Sequence, residues 1–93
     1  MSNEEPMHSE IVRVKRRYAS LYNQFLKSGG LIAIPSMMKI KALFEDASKS
    51  ISQSERDLSE GRIELASGSV RIANSNLDAA ELSINRLAHH SVI

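Results

Sequence analysis

Between Ile63 and Leu87 the chain carries two interleaved rows of side chains at seven-residue spacing. One is Ile63, Val70, Leu77 and Ile84; the other is Ala66, Ala73, Ala80 and Leu87. Intervals that alternate between three and four residues place both rows on one side of a helix. The segment is nonetheless rich in Ser, Gly and Asn, which are mediocre or poor helix formers. Such a helix is held by its neighbours rather than by propensity. A row of alanines lets a second helix approach closely without loss of helix propensity. The bulk to fill the remaining space is expected from elsewhere: Tyr18, Tyr22, Phe25 and Phe44 are the only aromatics, and none follows residue 44.

The same spacing recurs upstream. Ile11, Val14, Tyr18, Leu21 and Phe25 form one helical face, closed by Ser28-Gly29-Gly30, where glycine can adopt the left-handed stop conformation. Met37, Ile40, Phe44, Ala47, Ile51, Ser54 and Leu58 form another. Between them LIAIPS (31–36) is an apolar connection, with Pro35 disfavouring helix at Ile34 and Ser36 competing as N-cap. At Ser59-Glu60-Gly61 the register breaks. Continuing the second face would bring Arg62, Leu65, Ser69 and Ile72 inward, a poor apolar set, whereas restarting at Ile63 gives the clean rows above. A tight turn at Gly61 is therefore expected. The rival is one continuous helix through Gly61, which would cost only about 1 kcal/mol.

The expected helices span about 7–28, 36–60 and 62–89, after a disordered polar lead at 1–7 and before a fraying HHSVI tail. The fold class is all-α: a three-helix antiparallel bundle, or a long helical hairpin with an additional N-terminal helix, in coiled-coil-like packing. Residues 8–93 make a single domain. At 93 residues its core is marginal without long helices or association. In size, helix content and lack of cysteine this outline is similar to that of small helical-hairpin chaperones of bacterial secretion systems, with no diagnostic motif in common.

Two helices carry apolar residues on a second side. Leu65, Ile72 and Ala79 are displaced by well over 100° from the main rows of helix 3. Val12, Ala19 and Leu26 lie beside the main face of helix 1. A helix apolar on two sides needs two neighbours, supplied either within a bundle or by another chain. Met37 and Met38, beside the apolar connection, are adaptable side chains suited to an irregular partner. These eight residues are the candidate partner-binding set, and the partner is a protein chain, as homo-oligomer or heterodimer.

The densest charge lies in VRVKRRY (12–18). Residues 8–28 hold five bases against the single acid Glu10. Arg13, Arg16 and Arg17 fall on one side of the helix and Lys15 on another, a candidate electrostatic patch for phosphates or an acidic partner. A net charge of +1 gives no global case for nucleic acid or membrane binding.

Little supports chemistry. Without cysteine there is no thiolate metal site, disulfide framework or cysteine nucleophile. His89 and His90 are adjacent, so on a helix they diverge by about 100° and cannot share an ion unaided. No nucleophile elbow, phosphate loop or metalloprotease motif occurs. The expectation is a non-enzyme without cofactor or metal. No apolar run reaches the ~18 residues of a membrane span, and the acidic start is unlike a signal peptide, so a cytoplasmic location is expected. The leading functional expectation is a helical interaction module: a small adaptor, chaperone or assembly subunit. The alternatives are a dimeric nucleic-acid-associated regulator using the basic patch, and a phage or plasmid-type inhibitor docking onto a host protein.

Overall fold

The computed structural model describes residues 4–28 and 34–91, with side chains over 5–28 and 34–86. Three helices follow in order: α1 (Glu4–Lys27), α2 (Ile34–Ser59) and α3 (Ile63–Ser91). No strand occurs among the described residues. The helices run up, down and up. Lys15 of α1 reaches Glu55 late in α2, while Arg17 reaches Asn74, Asp78 and Glu81 of α3. α2 packs most closely with α3, and α1 lies against both. The bundle is a rod of 53 × 19 × 15 Å. Its radius of gyration of 14.9 Å exceeds the roughly 12 Å of a compact chain of this length.

The core is made of the spaced faces. Ile11, Val14, Leu21 and Phe25 from α1 meet Ile40, Phe44, Ala47 and Ile51 from α2, and Ala66, Val70, Ala73, Leu77, Ala80 and Ile84 from α3. Ala66, Ala73 and Ala80 have no exposed surface at all. The aromatics gather around Phe44. Tyr18 and Tyr22 meet its ring edge-on at 5.5 and 5.3 Å, and Phe25 lies tilted at 5.5 Å. Such geometries align ring edges with ring faces and add to the gain from burial.

On α2 the fully buried Ala47 and Ser54 recur with the same seven-residue period as the alanines of α3. Counted outward from the turn, Ser54 falls level with Ala66 and Ala47 with Ala73. The groove shared by Ser36, Lys39, Ile40, Ser83 and Arg86 has the same register. The sequence leads one to expect bulk opposite every alanine. In that count small residues stand level with small ones at Ala66 and Ala73, while Ala80 falls level with the bulky Ile40; Phe44, Ile51, Val70 and Leu77 add the remaining bulk of the core. Ser54 is tolerated there because its hydroxyl donates to the Ile51 carbonyl at 2.6 Å.

The turn is defined by its hydrogen bonds. Arg62 N–H donates to Asp57 O at 2.8 Å and Gly61 N–H to Leu58 O at 3.0 Å, the paired bonds of a Schellman motif. Gly61 supplies the left-handed residue, at φ 77°. Arg62 O then accepts from Ala66 N–H at 3.0 Å and opens α3.

Both earlier helices begin sooner than the sequence leads one to expect. Glu4 to Met7 belong to α1 rather than to a disordered lead, and Met7 is buried in the core. Pro6 fits in the first turn because its missing N–H would have no intrahelical partner there, and the acid Glu5 suits the positive helix end. Pro35 likewise stands inside α2, which starts at Ile34. α3 runs on through Ser91, beyond the expected end near residue 89. The Gly29–Ala33 part of the connection and the final Val92-Ile93 lie outside the described residues.

Candidate functional site

The inward residues of α3 leave its opposite side open. Taking 100° per residue, the stripe Leu65, Ile72 and Ala79 lies about 160° from the row of Ile63 and about 100° from the row of Ala66, turned away from α1 and α2. Leu65 is 57% exposed, Ile72 56% and Ala79 is exposed. Leu82, 52% exposed, extends the stripe by three residues. Gly68 and Ser75 fill the remaining places in the three-and-four alternation: 65, 68, 72, 75, 79, 82. Sequence reasoning missed these last three. Following the alternation on from Ala79 would have found Leu82.

The other apolar candidates separate. Val12 is half-buried beside the core and Ala19 is exposed on α1. Met37 packs against the core, while Met38 is 67% exposed. Leu26 at 58% and Ile34 at 72% are also exposed, on either side of the connection. They do not join the α3 stripe, which lies on a different element.

The basic cluster is divided among three surroundings. Lys15 pairs with Glu55 of α2 at 3.2 Å. The Arg17 guanidinium, 29% exposed, turns to α3 and is held by the Asp78 carboxylate, by Glu81 at 3.3 Å and by Asn74 Oδ1 at 2.9 Å. Its charge is spent on joining helices. Arg13 and Arg16 are exposed and in no ion pair among the described residues. Arg13 shares a groove with Glu10, Arg17 and Arg71, so the basic surface that remains includes one residue, Arg71, from α3.

Elsewhere the titratable groups are dispersed. Glu5, His8 and Ser9 line one groove of about 490 Å³ with Leu58, on a single exposed turn and with no hydrogen bond between them among the described contacts. Among the described residues no three His, Asp or Glu side chains gather as metal ligands. The side chains of His89 and His90 lie outside the described residues. The buried Asp57 accepts from Gln53 Nε2 at 3.0 Å beside the turn. Tyr18 is half-buried; burial pushes its hydroxyl above the ordinary phenol value, with the neighbouring Tyr22 adding to the effect and a hydrogen bond with Ser48 opposing it. No described helix is long and apolar enough to cross a membrane.

Comparison with protein-family models, with curated proteins and with solved structures finds no match to this chain.

Proposed function

We propose that the protein is a non-catalytic helical interaction module, a small adaptor, chaperone or assembly subunit, that acts by burying the outer stripe of α3 against a partner helix. The observation that carries this reading is the exposure of Leu65, Ile72 and Leu82 in register on the side of α3 opposite a complete core. These residues are more than half exposed and lie outside the core of one subunit, and leaving large apolar side chains in a row on water is unfavourable unless something covers them. A cytoplasmic setting accords with the absence of cysteine.

Replacing Ile72 by Glu tests the reading. It should leave the melting temperature of the isolated subunit nearly unchanged, because surface substitutions usually stay within about 0.5 kcal/mol. It should abolish association, measured by sedimentation of the pure protein and by capture of partners in the native host. Equal behaviour of wild type and variant in both measurements would overturn the proposal.

The regulator reading draws on one specific feature, the shared groove of Arg13, Arg17 and Arg71. With Arg17 already neutralised, Arg13, Arg16 and Arg71 remain to meet phosphates. Binding to DNA or RNA would then weaken with salt at a logarithmic slope of about 2 to 3. A salt titration that detects no binding at low ionic strength would remove this alternative.

A further inference from the structure

We propose that the helix covering the outer stripe is α3 of a second copy of this chain, docked antiparallel about a two-fold axis that crosses α3 between Ala73 and Asn74. The proposal rests on the interaction-module reading and gives it a specific partner.

The stripe has the two-position seam of a coiled coil, with Leu65, Ile72 and Ala79 in one position and Gly68, Ser75 and Leu82 in the other. In an antiparallel pair each position meets the other across the axis. Leu65 then faces the partner's Leu82, Gly68 faces the partner's Ala79 and Ile72 faces the partner's Ser75, each contact occurring twice. Bulk meets bulk at both ends. Small residues meet next, where the backbones can close, and the central layers pair a large residue with a small one. No layer has two bulky side chains on one side of the axis and a void on the other.

Charge selects the antiparallel arrangement. The positions flanking the stripe on the α1 side are Glu64, Arg71, Asp78 and Asn85; those on the other side are Ser69, Asn76 and Ser83. Antiparallel docking brings like flanks together. Arg71 meets the partner's Asp78, and by symmetry Asp78 meets the partner's Arg71. Glu64 falls beside the partner's Asn85, and Ser69 beside the partner's Asn76. Parallel docking would set Arg71 against the partner's Asn76 and Asp78 against the partner's Ser83, with no opposite charges paired. Arg71 is exposed and has no ion-pair partner among the described residues. The Asp78 side chain is 70% exposed even while its Oδ1 holds Arg17, so a second guanidinium can reach it.

Gly68 adds an independent sign. A Cβ built there meets nothing within 4 Å, so the subunit itself gives no steric reason for a glycine in mid-helix, where it costs stability. Opposite the partner's Ala79 it would allow close approach. The stripe from Leu65 to Leu82 is about 25 Å long, roughly half of the 53 Å rod. One helix face of that length is at the small end of interface sizes, so a dissociation constant of about micromolar or weaker is expected.

Sedimentation equilibrium from micromolar to millimolar concentration tests this. Wild type should dimerise. Arg71→Asp and Asp78→Arg should each raise the dissociation constant by about tenfold, since each reversal turns two attractions into repulsions. The double variant R71D/D78R should recover. An equimolar mixture of the two single variants should form mixed dimers tighter than either alone, because both charge pairs are then complementary. Asp78→Arg also removes an Arg17 contact, so its fold is checked by circular dichroism; Arg71→Asp touches no intrasubunit ion pair and stands as a test by itself. The chain has no native thiol, so single Gly68→Cys and Ala79→Cys variants report direction: the proposal expects a disulfide only when the two are mixed. A monomer at millimolar concentration, swaps without effect, or a disulfide formed by either cysteine variant alone would overturn it. If the monomeric protein still captured a host protein in an Ile72-dependent manner, self-pairing would fall while the interaction-module reading stood. Loss of Ile72 dependence everywhere would remove both.

Discussion

Individual side chains show how little room the seams have. Ala73 of α3 is fully buried, as is Ala47 of α2, so added methyl groups have nowhere to go. Ala73→Leu should destabilise the bundle by about 1–3 kcal/mol through overpacking, lowering the melting temperature. An unchanged melt would mean that the helices separate at that layer without cost. Ser67→Ala, outside the core, should be nearly silent in the same measurement. Tyr18 offers a test through pH. Its phenol titrates above its ordinary value of 10.0, chiefly because burial disfavours the phenolate. The folded state thus holds this proton more tightly than the unfolded chain. The stability that follows is fully present below pH 10 and is lost as pH rises through the higher folded value. Tyr18→Phe should melt with a shallower decline above about pH 10 than wild type; identical alkaline profiles would contradict the assigned desolvation.

Among the elements, the α2–α3 turn depends most on a single residue. Gly61 has φ 77° and space around it, since a Cβ there meets nothing within 4 Å. The cost of Gly61→Ala is therefore purely that of a left-handed backbone on an L-residue, about 1–2 kcal/mol, seen as a lower denaturation midpoint. Gly68→Ala should do the reverse in dilute protein. At an ordinary helical position with open surroundings it should stabilise the subunit by about 0.5–1 kcal/mol. The same methyl group should weaken dimerisation by holding the two α3 backbones apart. A variant that is both more stable and more strongly dimeric would rule out close approach at Gly68. These elements were largely legible in the sequence because they rest on periodicity: the rows through Ile11, Ile40 and Ala66 do turn inward, and the frame shift at Gly61 is a real turn. What periodicity could not supply was what each face meets. Nothing local to VRVKRRY says that Arg17 will be held by Asp78 and Glu81, residues more than 60 positions away. Nor does spacing say that the aromatics of α1 gather around Phe44 of α2. The helix starts lie earlier than expected because residues 1–7 look like a polar lead and Pro35 disfavours helix at the residue before it, although proline is at home in a first helical turn.

At the scale of the whole molecule, a rod this thin puts much of each helix at the surface, so covering one more face matters to its stability. Two copies joined along α3 would place the α1–α2 sides outermost and leave the Leu26–Ile34–Met38 ends away from the central contact. Any ligand that binds only the folded state raises its stability according to concentration over dissociation constant, and here the ligand would be the protein itself. Moving from well below the dissociation constant to about a hundredfold above it should add about 2–3 kcal/mol. For a chain of this size that corresponds to a rise of about 10 °C or more in melting temperature. Wild type should therefore melt higher as it is concentrated. Ile72→Glu should melt at one temperature throughout, because a carboxylate at the central layer would have to be buried against the partner's Ser75 without a counter-charge. Optical melting at low concentration and differential scanning calorimetry at high concentration, together running from below the dissociation constant to about a hundredfold above it, read both curves. A concentration-independent melt for wild type would mean that the outer face of α3 stays open to water in the folded protein at every concentration tested, and that Leu65, Ile72 and Leu82 wait for a chain of another kind.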